Sequence, residues 1–342
     1  MKKIQQVLNL KGRTALVRCD YNVPIGLDGV VDASEASRID KSLETIRHLQ
    51  KAGAKTILIS HIGRDPKESL RPVADYLKKL IPVEFVPTLD EYEVPSIISN
   101  MQEGQAILLE NLRQNPGEEG GDPKFAEWLA SLADLYVNEA FSVCHRRHAS
   151  IVGVPMYLQA YAGFWLQKEI ENLDKVMNGF DRPFLFILGG AKFDTKLPLI
   201  KKFETIADEI LIGGALANNF FKTIGFKVGK SLVDKDASVA QFFNKDHIKI
   251  PFDVVVKEGA KELANIEADD MIVDLGPKTL EEWKNSIGKS KTILWNGPLG
   301  LYEEGFDVAS KELIQAVADS GAFSVIGGGD TGAVIEKLLN KN

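Results

Sequence analysis

The arginines of this chain are the first sign of its chemistry. All ten (Arg13, Arg18, Arg38, Arg47, Arg64, Arg71, Arg113, Arg146, Arg147 and Arg182) fall in the first 182 residues, and the remaining 160 carry lysine but no arginine. A guanidinium is a rigid fork matched to carboxylate and phosphate, whereas lysine is a point charge on a flexible stem. The division points to two halves that handle anions differently. Arg18, Arg38, Arg64, Arg113 and Arg146 occupy comparable loop-side positions in the first half, with Asp20, Asn22 and His61 alongside as hydrogen-bonding groups for hydroxyls. Arg38 stands at a predicted helix start, where the macrodipole disfavours a cation unless an anion faces it. Several guanidiniums around one pocket repel each other unless a multiply charged small molecule binds, and a phosphorylated carboxylate meets that requirement.

The second half offers glycine and lysine instead. "GGAKFDTK" places Lys192 and Lys196 four residues apart at a strand-to-helix junction, and "GGALANN", "DLGPKT", "WNGPLG" and "GGGDTG" put glycines at strand ends, where backbone N–H groups can approach phosphate. "FSVIGGGDTGA" satisfies a G-x-G-x-x-G pattern through Gly327, Gly329 and Gly332, but the second strand of a dinucleotide βαβ unit does not follow. That excludes a nicotinamide oxidoreductase and favours a nucleotide phosphate loop. Asp330 beside polyphosphate is repulsive unless Mg²⁺ lies between them. "GFKVGKS" has three residues between its glycines, not the four of a Walker A loop, and is set aside. His145 and His148 beside Cys144 have no acidic or cysteine partner nearby in sequence to complete a zinc site.

The elements that must position these residues alternate. Near-continuous apolar runs at 14–20, 55–61, 83–87, 106–111 and 135–140, then at 183–190, 209–214, 252–258, 271–276, 291–297 and 323–329, are separated by helical patterns. Such runs predict parallel sheets covered on both faces. The fold class is therefore α/β, with two doubly wound, Rossmann-like parallel-sheet domains. Residues 1–156 are expected to form the first and 183–342 the second, joined by an interdomain helix and hinge at 157–182, the helix itself over 157–178. In such sheets ligands bind beyond the carboxyl ends of the strands, where the motifs collect. A net charge of −7 argues against a nucleic-acid surface. Two cysteines and the lack of a long apolar N-terminal segment predict a cytoplasmic protein without membrane association.

Taken together, "VRCDYNVP", "SHIGR", "LLENLR", "YVNEAF…HRRHAS", "GGAK…K", "DLGPKT", "WNGPLGLYE" and "IGGGDT" resemble, in order and spacing, the phosphoglycerate kinase family from about residue 5 to 340. The resemblance implies reversible phosphoryl transfer between 1,3-bisphosphoglycerate and ADP, giving 3-phosphoglycerate and ATP, with Mg²⁺, in a monomer. It implies that Asp20, Asn22, Arg38, His61, Gly63, Arg64, Arg113 and Arg146 bind the glycerate substrate. Lys196, Gly213, Gly214, Gly276, Asn296, Glu303, Gly328, Gly329, Asp330 and Thr331 would form the nucleotide site, with Glu303 on the ribose and Asp330 on the metal. Arg38, Lys192 and Lys196 would flank the transferring group, consistent with a reaction that needs positioning and charge neutralisation rather than a general base. The family's "DAFGTAHRAH" reads "EAFSVCHRRH" here, and Asp194 stands where a small residue is common. The chain also ends at Asn342 without the family's further glycine-rich segment. A second expectation is accordingly a non-catalytic or impaired binding homologue.

Overall fold

The structure is a computed structural model that describes residues 1–32, 36–234, 239–243, 245–328, 331–332 and 334–335. By its internal contacts the chain divides into two compact units, Met1–Glu171 and Asn172–Asn342.

In the first unit the strands are β1 (Thr14–Arg18), β2 (Lys55–Ile59), β3 (Glu84–Val86), β4 (Ala106–Leu109), β5 (Leu135–Asn138) and β6 (Ala160–Ala162). The helices are α1 (Ser37–Lys51), α2 (Arg71–Leu77), α3 (Glu93–Asn100), α4 (Gly117–Gly120), α5 (Pro123–Ser131) and the beginning of α6 (Phe164–Asn178). The strands form one sheet in the order β3-β4-β2-β1-β5-β6, and each neighbouring pair is parallel. Both faces are buried, which explains why the strands read as unbroken apolar runs. Ala15, Val17, Leu58 and Val137 pack into one core, while Leu16, Ile57, Ile59 and Tyr136 pack into another across the sheet. From β1 the chain crosses to β2 on one side, while β5 lies on the other. The gap beyond the ends of β1 and β5 is thus a topological switch point.

The second unit holds β7 (Phe184–Leu188), β8 (Glu209–Ile212), β9 (Ile248–Lys249), β10 (Asp253–Val256), β11 (Gly259–Glu262), β12 (Ile272–Leu275), β13 (Thr292–Asn296) and β14 (Phe323–Gly327). Its helices are α7 (Phe193–Phe203), α8 (Gly214–Thr223), α9 (Pro277–Lys289) and α10 (Val308–Asp319). Among the described residues a five-stranded parallel sheet runs β14-β13-β7-β8-β9. Phe184, Phe186 and Ile210 face one core, and Leu185, Ile187 and Trp295 the other. The switch point here lies between β7 and β13.

Two sequence expectations are corrected. The runs at 252–258 and 271–276 do not join the parallel sheet. They form a separate antiparallel sheet, β11-β10-β12. The cause is local: Val256 pairs with Gly259 across a two-residue loop, and Gly259 has φ 134°, so the chain turns back as a hairpin before any crossover helix can begin. The expected long helix at 157–178 starts only at Phe164, because 160–162 is drawn into the first sheet beside β5. Among the described residues no helix is long and apolar enough to cross a membrane.

Candidate functional site

The carboxyl ends of β1, β2, β4 and β5 bring most of the first set of residues together. Arg38 lies in the first turn of α1, with its Nη1 3.5 Å from Asp20 Oδ2 and 3.3 Å from the Asn22 carbonyl oxygen. These two acceptors offset the unfavourable position of a cation at a helix start. Asn22 Oδ1 accepts from the Gly63 N–H at 2.9 Å, and Arg113 donates to the Gly63 carbonyl oxygen. Gly63 has φ 61°, and a Cβ there would meet the Glu68 carboxylate, which itself accepts from Arg64 N–H at 3.0 Å. Any other residue there would be strained by the left-handed backbone and would have to displace that carboxylate. The Arg64 side chain is exposed beside it, and Arg146, half-buried after β5, contributes positive charge toward His61.

Arg18 is the most deeply buried of the loop-side arginines. It is 0% exposed, donates to Ser150 Oγ at 2.9 Å, approaches Glu118 at 3.8 Å, and sends Nη2 to His61 Nδ1 at 3.0 Å. Guanidinium can only donate, so His61 Nδ1 accepts and the ring proton sits on Nε2. Burial, and after it the Arg18 charge, push His61 down to about 2. His61 is thus a neutral hydrogen-bonding group rather than a titrating acid. Glu118, fully buried, accepts from Ser150 N and Oγ and stands 3.7 Å from His148 Nδ1. The sequence carries no signal of this supporting network, because its partners are 132 residues apart in the case of Arg18 and Ser150.

In the second unit Lys196 projects from the first turns of α7 and donates to Asn296 Oδ1 at the end of β13, so one bond bridges the switch point. Lys192 is the exposed N-cap residue of α7, and among the described residues no side chain caps that helix start. Its open N–H groups suit an anion. Gly213 follows β8 as the N-cap residue of α8, and Gly214 begins α8 with φ 62°. A Cβ on Gly214 would stand 2.7 Å from Gly190 N and 2.9 Å from Pro298 O. Thr331 Oγ1 accepts from the Gly297 N–H at 3.0 Å, and Gly328 has φ 102° beside Asn296. Gly329 and Asp330 lie outside the described residues.

A cleft of about 170 Å³ opens beside these strand ends. Gly190, Gly214, Pro298 and Glu303 line it with Phe221, Leu232, Val254, Met271 and Leu299. One polar end on an apolar slot suits a flat aromatic base joined to phosphates. Gly213 and Gly276 are not in its lining. Gly276 sits instead over Asp253, whose carboxylate accepts from Lys278 N and Thr279 N at 2.9 and 2.7 Å. The start of α9 is therefore closed by a protein carboxylate. Sequence reasoning missed the apolar wall, since α8, the antiparallel sheet and the loop after β13 supply it jointly. It also missed Asp274, 5% exposed in the lining, which burial raises to about 6. Among the described residues no three His, Cys, Asp or Glu side chains converge as a metal centre. Mg²⁺ on a nucleotide requires only one or two carboxylates besides phosphate oxygens.

A sequence profile of the family described as phosphoglycerate kinase matches residues 4–342. The phosphoglycerate kinase of Dictyoglomus turgidum is 43% identical over 354 residues, covering 96% of this chain and 88% of the relative. That of Pseudothermotoga lettingae is 40% identical, covering 99% and 91%. The solved phosphoglycerate kinase of Coxiella burnetii superimposes with a TM-score of 0.84 at 32% identity, covering 99% of this chain and 91% of that one. The Pyrococcus horikoshii OT3 enzyme gives 0.85 at 29%, covering 98% and 91%. With the match running through both sets of strand ends, this chain belongs to the phosphoglycerate kinase family.

Proposed function

We propose that the chain catalyses the family's glycolytic reaction, reversible transfer of a phosphoryl group between ATP and the carboxyl group of 3-phosphoglycerate, with 1,3-bisphosphoglycerate and ADP as the other pair. The observation that carries the reading is the pair of strand-end sites: arginine and neutral histidine in the first unit, glycine, lysine and an apolar cleft in the second. Residues 1–156 would be the phosphoglycerate domain, 183–342 the nucleotide domain, and 157–182 the segment joining them. Asp20, Asn22 and His61 bind the substrate's hydroxyl and carboxyl oxygens. Gly63, Arg64, Arg113 and Arg146 hold its phosphate by backbone and guanidinium donors. Gly214 and Glu303, which line the cleft, serve the nucleoside with Gly213 beside them, and Gly328, Gly329 and Thr331 its phosphates.

Arg38, Lys192 and Lys196 take the catalytic role of balancing charge on the phosphoryl group in transit. Such transfer has a loose transition state, so donors fixed in advance account for most of the acceleration. Asn296 orients Lys196 for this task, and the carboxylate acceptor needs no base to become a nucleophile. Mg²⁺ held by Asp330 would supply charge neutralisation at the nucleotide phosphates. A monomeric, cytoplasmic protein is part of the same reading. The non-catalytic alternative is not favoured, because the family match extends over nearly the whole chain. Titration calorimetry with 3-phosphoglycerate and with ADP tests the assignment. Arg64→Ala should weaken 3-phosphoglycerate about tenfold and leave ADP unchanged, and Lys196→Ala should do the reverse. Two variants that each lose both ligands, or neither, would overturn it.

A further inference from the structure

One side chain at the β1–β5 switch point has no part in the scheme above. Ser142 lies in the single turn Phe141–Val143 that follows β5, exposed to solvent, and its Oγ–H donates to Asp20 Oδ2 at 2.6 Å. The two residues are 122 apart in sequence, and the bond crosses the gap between the neighbouring parallel strands β1 and β5. Arg38 Nη1 reaches the same oxygen from α1 at 3.5 Å. Oδ2 is therefore held from two directions. The other oxygen, Oδ1, is buried and, among the described residues, has no hydrogen-bond partner.

We propose that Ser142 is a positioning residue for phosphoglycerate: by binding Oδ2 of Asp20 it fixes the orientation in which that carboxylate meets the substrate's hydroxyl. The physical basis is the freedom of a carboxylate about its last torsion, which is broad and roughly two-fold. Arg38 alone, long, 40% exposed and at 3.5 Å, restrains that torsion weakly. A short hydroxyl bonded at 2.6 Å restrains it more tightly, because serine has a single side-chain torsion to order where arginine has several. Ser142 touches no reacting atom in this scheme. It acts through Asp20 on the affinity and orientation of one substrate only. The proposal rests on the reading of Asp20 as a ligand of phosphoglycerate.

Steady-state kinetics on the full chain, with ATP and 3-phosphoglycerate varied in turn, compare wild type, Ser142→Ala, Ser142→Thr and Asp20→Asn. Ser142→Ala should raise the KM for 3-phosphoglycerate about fivefold to tenfold, while kcat and the KM for ATP stay within about twofold. The threonine variant, which keeps the hydroxyl, should restore the wild-type value. Asp20→Asn should raise the same KM at least as much. If Asp20→Asn raises it and Ser142→Ala does not, the positioning role is overturned while Asp20 keeps its place. If Asp20→Asn leaves it unchanged, the reading of Asp20 fails and the role of Ser142 fails with it. If Ser142→Ala raises both KM values and lowers Tm, the bond is structural and the proposal is wrong.

Discussion

Single residues in the first unit owe their chemistry to partners that are distant in sequence. Asp20, Asn22 and His61 were recognisable as hydrogen-bonding types at strand ends, and the arginines as donors of a kind suited to anions. What the sequence could not separate was Arg18 from Arg38. Both follow or adjoin apolar runs, yet one is 0% exposed against His61 and Ser150 and the other lies open at the start of α1. Only packing distinguishes a guanidinium that orients a neighbour from one that meets a ligand. The consequence for His61 is measurable. With burial and Arg18 holding it down at about 2, its ring should show no titration between pH 5 and 8 by NMR. Replacing Arg18 with Gln removes part of that restraint and should move its midpoint upward. A wild-type midpoint near the ordinary 6.5 would contradict the neutral role given to His61.

Elements were legible where period and burial agreed, as in β1, β2, β7 and β13, whose apolar runs lie between two cores. They were misread where a tertiary contact overrode the pattern. Gly163 ends the β6 excursion, and a Cβ there would strike the Glu139 carboxylate, which accepts from Leu166 N at 2.9 Å and Trp165 N at 3.4 Å. A residue after β5 thus decides where α6 begins, which helical periodicity over 157–178 could not reveal. Asp274, at the end of β12, has a similar office for α10, accepting from Ala309 N at 3.1 Å as well as Leu275 N at 2.9 Å. Burial raises it to about 6 from 3.8. Between those values the folded chain binds more protons than the unfolded one. The stability that this carboxyl contributes is therefore complete below its unfolded value and lost as pH rises through about 6. Asp274→Asn cannot ionise, so it should gain on the wild type in urea midpoint between pH 4.5 and pH 7.5. A difference between the two proteins that does not change with pH would show that Asp274 titrates in the ordinary range.

For the molecule as a whole, nine of the ten arginines lie in the first compact unit and only Arg182 in the second, and each unit has its own parallel sheet, its own buried cores and residues gathered at one switch point. That much was legible because the ligand rule for open α/β sheets depends only on strand order and strand ends. The apolar cleft was not, since its wall is assembled from α8, β10, β12 and the loop after β13, elements whose adjacency no local pattern encodes. The central claim is that this chain moves a phosphoryl group between the two ligands these sites suit. The most direct measurement is ATP-dependent turnover of 3-phosphoglycerate in a coupled assay, with Mg²⁺ and with EDTA, on wild type and Arg38→Ala. Wild type should turn over with Mg²⁺ and stop with EDTA, and Arg38→Ala should lose about a hundredfold or more in rate while binding ADP as before. Folded wild-type protein that binds both ligands yet shows no Mg²⁺-dependent turnover would contradict the account.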